Sequence, residues 1–378
     1  MRLWSGLALL ASAFLTSAAY AELVEVTNPT GLKIGANVDL LGSTGQGTPA
    51  PDRDRFFLRE AELTFLAPID HLFDGVLSVA AHRETEIDPA TNVETSELGL
   101  EIHEAYIGST KLIPRSRFRL GQFFLGIGRL NQFHRHDWPF ITAPRIHEDL
   151  FGEEALMDQG LEYSFLIPTD FYLDLTVGLT NGWGFGKEEG QQYRPKVNTH
   201  YARLATYADL GEAGGLQVGL NYLGNKGLNQ VDDTPTFDSR KNVYLGLDAT
   251  YKLKESKLLK FLFQSEFWQR RITKATVDDG KLTRGFYLYP QYGISEEVSF
   301  GVRFDFEKNG HFSDPVTLER VNENIWSYVP TLTYKPSEFS TFRAAYSKET
   351  NTWAKAGKPW KAEIQSTFIL GTHPAHDF

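Results

Sequence analysis

Apolar and polar residues alternate one by one along this chain, and that period of two limits its fold more than any other feature. In Val298-Ser-Phe300-Gly-Val302-Arg-Phe304-Asp-Phe306-Glu the even positions are apolar and the odd ones small or charged. Val243, Leu245, Leu247, Ala249, Tyr251 and Leu253 alternate with Asn242, Tyr244, Gly246, Asp248, Thr250 and Lys252. Phe171–Thr180 and Leu259–Trp268 repeat the pattern. A helix, turning once in ~3.6 residues, would scatter these side chains around its circumference, whereas a strand sorts them onto two faces. About sixteen strands are expected, near 33–42, 54–67, 76–84, 97–108, 117–128, 159–167, 171–180, 198–209, 216–224, 240–254, 258–271, 282–292, 297–307, 324–335, 340–348 and 361–371.

The connections take turns in length. Pro168–Asp170, Glu255–Lys257 and Ser295–Glu296 are short; Ser43–Arg53, Arg129–Asp158 and Asn225–Ser239 are long. An up-and-down barrel in a membrane has this alternation, with tight turns on one rim and long loops on the other. No stretch approaches the ~18 consecutive apolar residues of a membrane helix, whereas a membrane strand needs apolar residues only at every second position. A soluble sandwich of this length would need two or three domains and a linker, and a propeller a repeat of roughly 40–50 residues; neither is visible. Aromatic residues near strand ends, such as Phe57, Tyr106, Tyr251, Tyr292 and Tyr334, fit two interfacial girdles. The expectation is an all-β fold: a transmembrane antiparallel up-and-down β-barrel of about sixteen strands, with an inward-folded third long loop at 129–158.

Met1-Arg2, the apolar run Leu3–Leu15 and Ala19-Tyr20-Ala21 predict a signal peptide, residues 1–21, cleaved after Ala21. The barrel would then occupy 22–378, in the outer membrane of a Gram-negative bacterium. With no Cys, disulfides, thiolate metal sites and a cysteine nucleophile are excluded. A net charge of −10 with no basic run of five argues against nucleic acid as a partner. The expected partners are outer-membrane lipid and lipopolysaccharide outside the barrel and small hydrophilic solutes or ions within it.

A barrel of sixteen strands is too wide for wall side chains to fill, so its polar face should line a water channel. That face carries Glu60, Glu62, Arg117, Arg119, Asp174, Arg203, Asp248, Lys252, Glu266, Arg303, Asp305, Glu307 and Arg343. Arg117, Arg119, Arg203, Arg303 and Arg343 could form a positive ladder, but carboxylates oppose it; pairing across the wall is the simpler reading. Arg59 breaks the parity and is expected to snorkel from the lipid face near the long-loop rim.

Segment 129–158 is too long and too apolar for a free surface tip. It should pack on the wall and narrow the channel, with Arg135, Arg145, Glu148, Asp149, Glu153 and Glu154 at the constriction. It also holds His134, His136 and His147; His-x-His puts two rings on one face of an extended segment, and the third could complete a zinc or copper site. Hydrogen bonding within a packed loop accounts for the same residues.

Several segments carry a family resemblance: Arg59-Glu-Ala-Glu-Leu63, Ile102-His-Glu-Ala-Tyr106, Arg119-Leu-Gly-Gln-Phe123 with Gly126, Phe151-Gly-Glu-Glu-Ala155, Asp158-Gln-Gly-Leu-Glu162 and Thr367-Phe-Ile-Leu-Gly371. They resemble the phosphate-selective porin O/P-type family of Gram-negative outer membranes. Phe378 is similar to the terminal aromatic that outer-membrane assembly machinery reads. The resemblance implies a sixteen-stranded homotrimeric porin, with anions such as phosphate as candidate solutes. No dense Lys cluster matches, however. The His-rich loop also resembles that of porin-related proteins linked to zinc supply.

A passive diffusion channel without cofactors is therefore expected, with a metal-binding or metal-admitting porin as the alternative. Ser78 and His82 share parity, but no third group or oxyanion motif accompanies them, so an enzyme is not expected. A gated, energy-coupled receptor would need a folded plug ahead of the barrel, where the sequence offers only Glu22–Leu32.

Overall fold

Sixteen strands form in chain order: β1 (Lys33–Gln46), β2 (Arg55–Pro68), β3 (Asp74–Ile87), β4 (Glu94–Ser109), β5 (Ser116–Phe124), β6 (Met157–Leu166), β7 (Tyr172–Thr180), β8 (Thr199–Asp209), β9 (Gly215–Lys226), β10 (Lys241–Glu255), β11 (Leu258–Thr273), β12 (Leu282–Gly293), β13 (Val298–Phe312), β14 (Arg320–Ser337), β15 (Ser340–Asn351) and β16 (Trp360–Gly371). The structure, a computed structural model, describes residues 31–46, 54–87, 94–182, 199–226, 241–274, 280–312, 320–351 and 359–371. The expected signal peptide and Phe378 lie outside the described residues.

Each strand pairs with its chain neighbours, and β1 closes onto β16 in a single barrel. The closing seam is antiparallel from Gly35 opposite Gly371 to Gln46 opposite Trp360. In hydrocarbon every backbone N–H and C=O must be paired within the protein, and closure leaves no sheet edge. Alternation then places Leu98, Leu100, Ile102, Val243, Leu245, Leu247, Phe300, Phe304 and Leu332 on the outside, all exposed. Exposed aromatics gather near both rims: Phe171, Tyr292 and Tyr334 toward the short turns, Phe56, Tyr222 and Trp326 toward the long loops.

Alternation fails at two places that matter for the site. Between β1 and β2, Asp39 faces Glu60 while Leu40 faces Leu58, which leaves Arg59 as an extra residue. Such a bulge turns two successive side chains to one face. Arg59 therefore points inward and is 8% exposed, a correction to the snorkelling expectation. Its Nε donates to Asp39 Oδ2 at 2.8 Å and its Nη1 to the Ile141 carbonyl at 2.7 Å. The register of β3 and β4 slips likewise: Ser78 faces Glu104 and Val79 faces Ile102, so His103 is the extra residue.

β5 ends at Phe124, earlier than expected, because the Leu125 N–H already bonds the Leu156 carbonyl and the chain turns into the barrel. Residues 125–156 fill one side of the lumen. Leu125, Ile127, Leu130, Trp138, Phe140, Ile141 and Ile146 are all buried there. A helix, α1 (Arg145–Phe151), rests on β11, β12 and β13. Phe151 packs edge-on against Trp268, and Phe140 against Tyr287 and Tyr289. The hydrophobic core of this protein is thus the contact between one loop and the inside of its own wall.

Candidate functional site

The neck of the loop is tied by Asn131. Its Nδ2 donates to the Leu125 and Leu156 carbonyls, and its Oδ1 accepts from the Leu156 N–H. Glu266 on β11 then receives the descending chain: its Oε1 accepts from the backbone N–H of Arg129 at 3.0 Å and of Leu130 at 2.7 Å. Its Oε2 accepts from Trp268 Nε1, and the Tyr287 hydroxyl also donates to Oε1. Gly128 sits at φ +59°, where a Cβ would come within 2.5 Å of Glu266 Oε2. Arg303 holds the far part of the loop by donating to the Thr142 and Ala143 carbonyls, and it pairs with Asp305 at 2.9 Å. Asp248 pairs with Arg203 at 2.8 Å and takes a hydrogen bond from Asn221.

These positions correct part of the pore-lining expectation. Asp248 and Glu266 face the lumen, but the loop and neighbouring side chains cover them; each is 1% exposed. Glu266 is an anchor, because a loop that buries backbone N–H groups needs buried acceptors, while Asp248 holds Asn221, whose Oδ1 accepts from the Gly128 N–H. Arg117 and Arg119 pair with Glu162, at 4.0 and 2.6 Å, in keeping with pairing along the wall, and the Arg117 side chain stays half-exposed. Arg343 donates to Gln365, which donates onward to Asp39. Asp149, expected at the constriction, pairs with Arg270.

A cavity of about 1110 Å³ opens above the loop on the long-loop side. Arg59, Arg83, Arg135, Arg145 and Arg303 line it, interleaved with Glu101, Glu148, Glu153, Glu154 and Asp305. Arg135 pairs with Glu154 at 2.7 Å and Glu60 at 3.4 Å, so the loop is bonded to β2 as well as packed on β11–β13. Arg145 lies 3.6 Å from Glu148 and 3.7 Å from Glu307. Both signs are thus present across the opening.

The imidazoles divide. His134 and His136 stack at 5.3 Å beside Glu60 and Glu62. Burial works against a charged His134, but the carboxylates of Glu104 and Glu62 outweigh it and hold the ring well above its ordinary value. His147 is elsewhere, on α1, edge-on to Trp138 and Phe151 at 5.2 Å from each. The structure therefore does not bring His134, His136 and His147 together as a metal set. A helix carries His147 into the apolar core, and His103 from the bulge of β4 takes the place beside His134, with ring centroids 5.8 Å apart. Ser78 does not serve His82 as a nucleophile would serve a base; its hydroxyl donates to Glu62.

Burial, with the Arg303 guanidinium adding to it, depresses His147 to about 3. A depressed folded-state value means that its stabilising contribution is whole above pH ~6.5 and fades as pH falls toward 3, where the ring must take a proton in an apolar site. We expect the thermal midpoint in detergent to drop between pH 7 and pH 4, and to drop less in His147→Leu. Equal slopes in the two proteins would refute this account.

A sequence model of the beta-barrel porin-2, OmpL-like family (BBP2) matches residues 151–373, more than half of the chain. This protein belongs to the BBP2 family. It is 26% identical over 345 residues to an uncharacterized protein of Aquifex aeolicus (strain VF5), covering 85% of this chain and 70% of that one. Its fold is similar to those of three solved outer-membrane proteins. The outer membrane channel DcaP of Acinetobacter baumannii has a TM-score of 0.61 at 10% identity, covering 91% of this chain and 99% of that one. The anion-selective porin from Comamonas acidovorans has 0.60 at 9%, covering 90% and 99%. The trimer form of Vibrio cholerae OmpT has 0.56 at 10%, covering 90% and 100%. The match supports the porin part of the sequence resemblance and not its phosphate-selective O/P part.

In this BBP2 barrel, alternation alone missed that Arg59, and His103 together with Glu104, turn inward. A signal was present: Arg59-Glu60 and His103-Glu104 are polar pairs inside alternating strands, where a regular pleat would force one member of each pair into lipid.

Proposed function

We propose that this porin-like barrel is a passive channel for small hydrophilic solutes and ions, and that loop 125–156 sets the width and polarity of its passage. The observation that carries the reading is the charged cavity standing directly over an inward-folded loop, inside a closed barrel of a porin family. Arg135 and Arg145 alternate there with Glu148, Glu153 and Glu154, which favours a transverse field and weak selection by sign over a phosphate-specific passage. Anions such as phosphate would pass as one class among several. Discrete conductance steps are expected from purified protein in a planar bilayer, with a reversal potential near zero in a tenfold salt gradient. Absence of steps would overturn the channel; a reversal potential near the ideal value for one sign would overturn the weak selectivity.

The channel is proposed to carry no catalytic machinery. Residues 1–21 would direct export, and the mature N-terminus would be Glu22. A homotrimer in lipid and lipopolysaccharide, as in the trimer form of OmpT, would appear as a trimeric mass in detergent. The metal alternative draws on Glu62, His103 and His134, with His136 adjacent and His147 excluded by its position.

A further inference from the structure

We infer that Glu62, His103 and His134 form a binding site for one divalent transition-metal ion of the Zn2+ class, which staples the inward loop to the barrel wall. The three residues come from separate elements: β2, the bulge of β4 and the loop. Each offers one ligand atom, and all three atoms lie within 4.8 Å of one another. His134 Nδ1 stands 3.0 Å and His103 Nδ1 3.6 Å from the same oxygen, Glu62 Oε2. Zinc bonds of ~2.0–2.1 Å at tetrahedral angles put neighbouring ligand atoms about 3.3 Å apart. The observed separations bracket that value.

Glu62 Oε2, His103 Nδ1 and His134 Nδ1 are buried, and the two nitrogens approach that one oxygen at ion-pair distance without hydrogen-bond alignment. The residues themselves are well sheltered, with Glu62 3% and His103 1% exposed. Buried polar atoms are normally paired, because leaving them unpaired costs free energy. The three atoms approach closely without hydrogen-bond alignment, and a cation at their common point, displacing the proton that the carboxylates otherwise hold on His134, would pair all three.

The surrounding groups fit the same assignment. His103 Nε2 faces Glu154 Oε2 at 3.4 Å, and His134 Nε2 faces Glu104 Oε2 at 3.4 Å. The other oxygen of Glu62 accepts the Ser78 hydroxyl. A metal-bound imidazole commonly donates its second N–H to a carboxylate, which sets the tautomer and orients the ring. Here both rings have such a carboxylate, one on the wall and one on the loop. Three protein ligands leave the fourth tetrahedral position to water. The bulge is what makes the site possible: with regular pleating, His103 and Glu104 would lie on opposite faces of β4.

The site stands or falls independently of solute passage, since binding is read on the folded protein in detergent. Full-length mature protein, stripped with chelator and titrated with ZnCl2, should take up one Zn2+ per chain by calorimetry and by metal analysis. His103→Gln and His134→Gln should each lower the affinity by at least about tenfold, while His147→Gln leaves it unchanged. Folding of each variant is checked by its heat-dependent gel mobility. The wild type loaded with Co2+ should show the intense visible absorption of a tetrahedral site, a readout that needs no variant. Failure of the wild type to bind Zn2+, equal binding by a folded double variant His103→Gln/His134→Gln, or a weak octahedral Co2+ spectrum would each overturn the assignment. Hydrogen exchange at residues 129–136 should slow on adding Zn2+; unchanged exchange would overturn the staple.

Discussion

Excising residues 131–154 and bridging the ends with a short Gly/Ser linker should raise the single-channel conductance several-fold, the largest functional change we expect from any alteration of this protein. The wall can survive the excision because the β1–β16 seam and the fifteen other strand pairings run outside the loop. The interior would change greatly. Trp138, Phe140, Ile146 and Phe151 leave, and Tyr287, Tyr289, Tyr244 and Trp268 become wetted. Truncating single large buried side chains costs roughly 2–5 kcal/mol each, so the excised barrel should also melt well below the wild type. Conductance in a planar bilayer and thermal unfolding in detergent check the two halves separately. An unchanged conductance would show that ions do not pass the loop at all.

Glu266→Ala should have the largest effect of any single substitution. Two backbone donors, Arg129 N–H and Leu130 N–H, lose their acceptor together with the Trp268 indole and the Tyr287 hydroxyl. A buried donor left without a partner costs about 1–3 kcal/mol, and here several are stranded at the point where the loop enters the lumen. We expect a marked fall in melting temperature and noisy, larger conductance steps as the loop detaches from β11. Glu266→Gln keeps an acceptor oxygen for the two backbone groups and should cost less. If the alanine variant matched the wild type in both measurements, Glu266 would not be the anchor.

The first of these expectations follows in outline from the sequence, where 129–158 already reads as a loop that narrows the channel; the second does not. Glu266 was legible as a lumen-facing residue through its parity, but its task was not, since the groups it binds lie 136 and 137 positions away. Arg303 is similar: its inward face follows from Val302 and Phe304, whereas its grip on Thr142 and Ala143 depends on where the loop comes to rest. His134 and His136 lie side by side, as the His-x-His spacing suggests. Their third companion was misread because His147 is nearby in sequence, while His103 is nearby in space.

The sequence by itself determined what is local and periodic in this protein: strands, two faces, short and long turns, and hence a closed barrel of sixteen strands with an apolar skin. Pleating imposes a period of two whatever the neighbours are, and lipid penalises every charge on the wrong face, so that information is written residue by residue. Only the tertiary structure decided the rest. A bulge exists only relative to a partner strand's register, so the inward turn of Arg59 and the juxtaposition of His103 with Glu104 appear only once β1 and β3 are in place. The loop's resting site, and with it the anchors, the cavity and the Glu62–His103–His134 cluster, depends on apolar contact between distant segments, which has no period to read.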